Sequence, residues 1–262
     1  MKEKLKLIGL IIIAILLIAV IVIVLKAAKN ATGETNHPVA TFEIQDYGTV
    51  KMELYPEYAP NTVSNFIALI QAGFYNNKII YGKDSLALYM GRNSDEEATG
   101  ATISLIDESI EAGSDEDYEY EINGEFVANG FEQNTLRHEK GIVSLNRSDY
   151  SSYGLTDESY NSGNYRFSVM MGESSSLNGV YCAFGKITEG LDILQNIYDN
   201  TAITTNEDSE ENEDAIQEFE TKPVITTATV ETYNVDYGKP EVHEAFDIQS
   251  YINDLYSQYI SY

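Results

Sequence analysis

Apolar positions along the chain recur with a period of two in several short stretches and with a period near 3.6 in three others. Val50, Met52 and Leu54 alternate with Lys51 and Glu53, the pattern of a strand with one buried face. Together with Val39–Ile44, residues 49–54 read as a hairpin around Asp46-Tyr47-Gly48. Pro56 and Pro60 end the second arm, because proline has no N–H to give to a ladder. Val63, Phe66, Ile67 and Ile70 then fall at i, i+3, i+4 and i+7. That spacing predicts a helix over 62–72, capped by Asn61 or Thr62 and closed by Gly73. One or two strands are predicted over 78–90, then single strands over 165–171, 179–187 and 222–230. A second helix is predicted over 189–198, with Leu191, Leu194 and Ile197 on one side. The stretches 93–120, 146–164 and 201–220 read as loops, the last of them strongly acidic. Over 242–262, Ile248, Tyr251, Ile252, Leu255, Tyr256 and Tyr259 keep helical spacing, which predicts an amphipathic C-terminal helix that either packs on the domain or docks a partner.

Leu7 and Leu25 bound a run of 19 residues without a charge, flanked by Lys2, Lys4 and Lys6 before it and by Lys26 and Lys29 after it. As a helix, this run would be about 28 Å long, close to the hydrocarbon thickness of a bilayer. It is longer than the apolar core of a cleaved secretory signal, and no A-x-A site follows it. Residues 1–29 are therefore expected to be a signal-anchor. They would hold a single-pass protein in a bacterial cell membrane with the folded part outside the cytoplasm. Residues 30–38 read as a linker, 39–240 as the domain, and 241–262 as a helical extension.

Charge and composition narrow the function. The net charge of −26 argues against a nucleic-acid partner, which would call for clustered Lys and Arg. Outside residues 1–29 there are 11 basic and 41 acidic residues, so the acidity belongs to the folded part and its loops. A lone cysteine, Cys182, excludes an intrachain disulfide and lies in an apolar context that suggests packing. His37, His138 and His243 lie in separate segments, and nothing has the spacing of a nucleophile triad, a cofactor loop or a metal site. The acidic runs at 115–117 and 207–214 lack the glycine-punctuated spacing of a calcium loop.

Three stretches carry a family resemblance. Glu53-Leu54-Tyr55-Pro56, then Ala59 to Phe66, then Gly73-Phe74-Tyr75 resemble the opening of a cyclophilin-type peptidyl-prolyl isomerase, which reads E-L-Y-P, A-P-x-T-V-x-N-F and G-F-Y. Lys140 to Leu145 resembles the family's R-G-x-x-S-M strand. From Leu177, L-N-G-V-Y-C-A-F-G-K-I-T-E-G-L-D resembles L-D-G-x-x-x-x-F-G-x-V-x-x-G-x-D. The resemblance implies a mainly β fold: a closed, eight-stranded antiparallel barrel capped by two helices. To this the chain would add an N-terminal transmembrane helix and the C-terminal helix. It also implies action on proline-containing polypeptides, with no cofactor.

The family's catalytic words align less well. Counted without gaps from Gly73, its F-H-R falls on Ile80-Tyr81-Gly82, so glycine stands where the family has its catalytic arginine. F-M-x-Q-G-G falls on Ala87 to Arg92, S-Q-F-F on Tyr165 to Ser168, and the pocket histidine on Tyr181. The resemblance thus implies a substrate-binding set of Leu88, Met90, Phe167, Leu177 and Tyr181. Arg166 is the best candidate for a displaced cation that restores the lost donor, with Arg92 and Lys83 as the others, unless these side chains simply pair with nearby carboxylates. The expected function is isomerisation of prolyl bonds in exported or cell-surface chains. Two alternatives stand beside it: a non-catalytic proline- or peptide-binding module at the membrane surface, and a structural part of an envelope assembly.

Overall fold

The computed structural model describes residues 36–94, 100–204 and 215–260. The apolar run from Leu7 to Leu25 and the centre of the acidic 201–220 stretch lie outside these residues. Among the described residues, no helix is long and apolar enough to cross a membrane.

Eight strands close into an antiparallel barrel. Around the ring they run β10 (Val224–Glu231), β1 (Val39–Ile44), β2 (Gly48–Leu54), β8 (Cys182–Glu189), β6 (Ile142–Leu145), β7 (Phe167–Met170), β4 (Ala87–Arg92) and β3 (Lys78–Lys83). The β10–β3 pairing, Val224 with Ile79 and Ile225 with Lys78, closes the ring and leaves neither of those strands with a bare edge. The β1–β2 turn places Asp46 at φ 64° and Gly48 at φ 124°, left-handed angles that Asp tolerates and Gly adopts freely.

The inward residues form one core. Phe66 lies 5.0 Å from the Tyr75 and Phe184 ring centroids, 5.2 Å from Phe167 and 6.1 Å from Phe42. Phe66 comes from α1 (Pro60–Gln71), which buries eight of its twelve residues, including Val63, Ile67 and Ile70 from the periodic stripe. The helix begins two residues before the predicted start, and its first turn has no local side-chain cap. Glu125 supplies the cap from a distant loop: its carboxylate accepts the Asn61 N–H at 2.9 Å and the Thr62 N–H at 2.7 Å. An anion at a helix N-terminus is favoured by the exposed amides and the macrodipole. Burial nevertheless dominates and pushes the Glu125 carboxyl above its ordinary range.

The predicted loops hold short elements: the 3₁₀ turn Ile103–Leu105, β5 (Tyr120–Glu121) and α2 (Thr156–Tyr160). The second predicted helix is α3 (Leu191–Asn200), with Leu194 and Ile197 buried. The short strand β9 (Gln217–Glu218) adds to β3 outside the ring. Toward the C-terminus, β11 (His243–Glu244) pairs with β5, and the Asn61 side chain exchanges two hydrogen bonds with the Glu241 backbone. Helix α4 (Ile248–Ile260) follows; Ile248, Tyr251 and Ile252 are half-buried, whereas Leu255 and Tyr256 are exposed.

Candidate active site

A cleft of about 740 Å³ opens on one face of the barrel, between β3, β4, β6 and β7 and the loops that follow β6 and β7. Which side chains face it follows from strand alternation. On β7, Phe167 and Val169 point into the core, and Ser168 and Met170 into the cleft. On β4, Leu88 and Met90 are core residues, 0% and 1% exposed, while Ala87 and Tyr89 line the cleft. Of the expected substrate-binding set, Leu177 and Tyr181 therefore line the cleft, and Leu88, Met90 and Phe167 pack inside the barrel.

For β4 the difference has a clear physical origin. Along β4 the faces alternate strictly, so the apolar Leu88 and Met90 share the core face, and Ala87 and Tyr89 take the cleft face. For Phe167, the surrounding aromatic cluster of Phe42, Phe66 and Tyr75 holds the ring inward.

The apolar part of the cleft is built by Ala87 and Met170 with Leu86, Tyr89 and Leu177 packed beside them. The Tyr89 hydroxyl donates to Asp84 Oδ2 at 2.7 Å, and Asp84 Oδ1 accepts the Leu86 and Ala87 N–H groups at 2.8 and 2.7 Å. Asp84 is thus committed to the β3–β4 turn. Burial, then the Asp84 hydrogen bond, pushes the Tyr89 phenol well up, so it remains a neutral donor. Burial likewise raises Tyr81, opposed by the positive charges of Arg166 and Arg92.

The three candidate cations have different surroundings. Arg92 Nη1 pairs with Glu218 Oε1 at 2.6 Å and its guanidinium stacks on Tyr81 at 4.5 Å. That pairing holds the Glu218 carboxyl below its ordinary range. Lys83 donates to the Tyr198 carbonyl and lies over the Tyr198 ring. Arg166 is exposed, lines the cleft, and has no carboxylate within 4.0 Å among the described residues.

Gly82 has a steric reason to be glycine. It pairs with Tyr89 on one side and Glu218 on the other, and a Cβ at this position would meet the Gln217 carbonyl oxygen at 2.5 Å. The side chain of Ile216, just before β9, reaches the same place and lines the cleft. The position that aligns with the family arginine is therefore roofed by a strand.

A model of the cyclophilin type peptidyl-prolyl cis-trans isomerase/CLD family matches residues 39–221, more than half of the chain. The chain belongs to this family. Among curated relatives, peptidyl-prolyl cis-trans isomerase B of Bacillus subtilis is 26% identical over 160 residues, which cover 60% of this chain and 87% of the relative. Peptidyl-prolyl cis-trans isomerase CYP23 of Arabidopsis thaliana is 26% identical over 151 residues, covering 58% of this chain and 56% of that protein. A crystal structure of a Cryptosporidium parvum cyclophilin type peptidyl-prolyl cis-trans isomerase in the presence of the dipeptide Ala-Pro superposes with a TM-score of 0.52. It is 18% identical, and the match covers 74% of this chain and 98% of that one. That likeness shows the cyclophilin fold, and family membership points to peptidyl-prolyl isomerase activity.

Further cleft residues of this cyclophilin-type domain were not singled out by sequence: Tyr89, Ser168, Arg147 and Ile216. Ser168 was recoverable from the strict alternation around Phe167 on β7. Ile216 was not, since it reaches the cleft only through the non-local pairing of β9 with β3. Among the described residues, no group of three or more His, Cys, Asp or Glu side chains is placed to hold a metal.

Proposed function

We propose that this chain is a divergent cyclophilin that binds proline-containing polypeptides in the cleft and isomerises their prolyl bonds, with Arg166 as the displaced donor. Rotation about the imide bond has a barrier of about 18–20 kcal/mol, because it breaks the resonance between the carbonyl and the nitrogen. As the bond twists, the nitrogen regains a lone pair that can accept a hydrogen bond. A donor aimed there stabilises the twisted state more than the planar one, which is the condition for acceleration. The single observation that carries this reading is that Arg166, alone of the three candidates, lines the cleft with no carboxylate within 4.0 Å among the described residues, although its charge also acts on Glu121 from farther off. Ala87, Met170 and Leu177 supply an apolar surface on which a pyrrolidine ring can rest. The Ala-Pro dipeptide named with the Cryptosporidium structure supports proline as the group recognised.

The uncharged run between Leu7 and Leu25 supports a place for this activity at the outer side of a bacterial cell membrane, on exported chains. A second reading, a proline-binding module without turnover, is favoured by the strand that roofs Gly82. The test is exchange spectroscopy on an Ala-Pro peptide with catalytic amounts of the full-length chain. Exchange well above the uncatalysed rate is expected. Binding without faster exchange would establish the module and remove the enzyme.

A further inference from the structure

Arg147 is the second guanidinium in the cleft wall, and the proposed chemistry does not use it. It is half-buried and held among three rings: its guanidinium carbon lies 4.4 Å from the Tyr181 centroid, 5.1 Å from Tyr160 and 6.0 Å from Phe126. Its hydrogen bonds are few and long: Nε donates to the Val180 carbonyl at 3.4 Å and Nη1 to the Ser148 carbonyl at 3.3 Å. Among the described residues, no carboxylate lies within 4.0 Å of it. A chain with 42 acidic and 16 basic residues has carboxylates in excess, so a cation without one in a concave site is a specific arrangement. The two carboxylates that line the same cleft are already engaged. Asp84 accepts the Leu86 and Ala87 N–H groups and the Tyr89 hydroxyl, and Asp149 accepts the Ser151 N–H at 2.9 Å while the Arg147 charge acts on it from beyond 4.0 Å.

We infer that Arg147 forms an anion-recognising subsite, so that the cleft selects proline-containing segments with a Glu or Asp side chain immediately before or after the proline. This rests on the proline-binding reading above. A guanidinium offers a planar fork of donors that matches a carboxylate, and one ordered in advance by stacked rings loses little further freedom on binding. The net charge of −26 opposes an acidic peptide at a distance. That opposition is screened beyond about 8 Å at physiological ionic strength, inside which the local guanidinium decides.

The test measures binding of fluorescent proline peptides to the full-length chain, with Glu or Gln either before or after the proline, and a Glu peptide in which alanine replaces the proline. The Glu–proline peptide is expected to bind about tenfold tighter than its Gln counterpart in at least one of the two positions. Arg147→Gln is expected to abolish that preference, and Arg147→Lys to reduce it by removing the fork while keeping the charge. Equal binding of Glu and Gln peptides in both positions would overturn the inference and leave proline binding intact. A preference that survives in a folded Arg147→Gln protein would overturn it too. Should that variant fail to fold, the wild-type comparison together with Arg147→Lys decides. Absence of binding by every proline peptide would remove both readings, and equal binding of the alanine control would remove the role of proline.

Discussion

At Gly82, backbone packing and chemistry make opposite demands. A cyclophilin-like count assigns the position a catalytic arginine, while the β9 backbone leaves no room for even a Cβ, with the Gln217 carbonyl oxygen 2.5 Å from where it would sit. Gly82→Arg is therefore expected to displace β9 and destabilise the protein by about 1–3 kcal/mol rather than restore a donor. Thermal or denaturant unfolding of the variant checks this, and a fully stable Gly82→Arg protein would show that β9 is readily moved. The glycine was legible in sequence, but its cause was not, because the residues that force it lie more than 130 positions away. Other single residues show the same limit. Phe167 and Ser168 are adjacent and fall on the same family word, which only Phe167 matches, yet one belongs to the aromatic core and the other to the cleft. Glu125 has no local signal as a cap, since the amides it accepts belong to a helix more than 60 residues earlier.

Among the elements, α1 is the most fully written in the sequence. Its apolar stripe places Phe66 against four other aromatic rings at 5.0–6.1 Å. Phe66→Ala is expected to cost about 3–5 kcal/mol, measured as a lower denaturation midpoint, because the ring leaves a cavity in a packed core. A loss below 1 kcal/mol would mean that the barrel collapses around the gap. The hairpin of β1 and β2 was equally legible, because period-two alternation and an Asp-Tyr-Gly turn specify it locally. Strand β9 was not: it has two residues, no alternation to show, and exists only through its pairing with β3. The irregular β3–β4 pairing was hidden for a related reason, since a bulge depends on how two strands are paired and leaves no mark in residue type.

For the whole molecule, pH dependence follows from buried groups whose ordinary protonation the fold opposes. His138 is 1% exposed, with Nε2 3.0 Å from the Ser144 hydroxyl, and burial pushes its pKa down. The native state therefore keeps the neutral ring when the unfolded chain begins to take a proton, near pH 6.5. Stability is expected to fall as pH drops below about 6.5, at up to about 1.4 kcal/mol per pH unit, until the folded-state pKa is passed. Glu121 and Glu125, raised by burial, act in the opposite sense, because the native state protonates first and gains stability as pH falls toward the ordinary Glu range. The contribution of His138 is thus read as a difference: a His138→Phe variant should lack the loss between pH 6.5 and the lower limit, although it is less stable overall. Identical pH profiles for the two proteins would show that the ring titrates freely in the folded state.

The barrel, its closure by β10 and the placement of Arg166 in the cleft support the central proposal that Arg166, just before β7, serves as the donor in place of the family arginine that aligns with Gly82 on β3. The direct measurement is the exchange rate of an Ala-Pro peptide with wild type and with Arg166→Ala, in proteins shown to unfold at the same midpoint. Acceleration by the wild type that falls by about 10²-fold or more in the variant is the predicted result, the scale of losing a hydrogen-bond donor to a transition state. Equal acceleration by both proteins would contradict the claim.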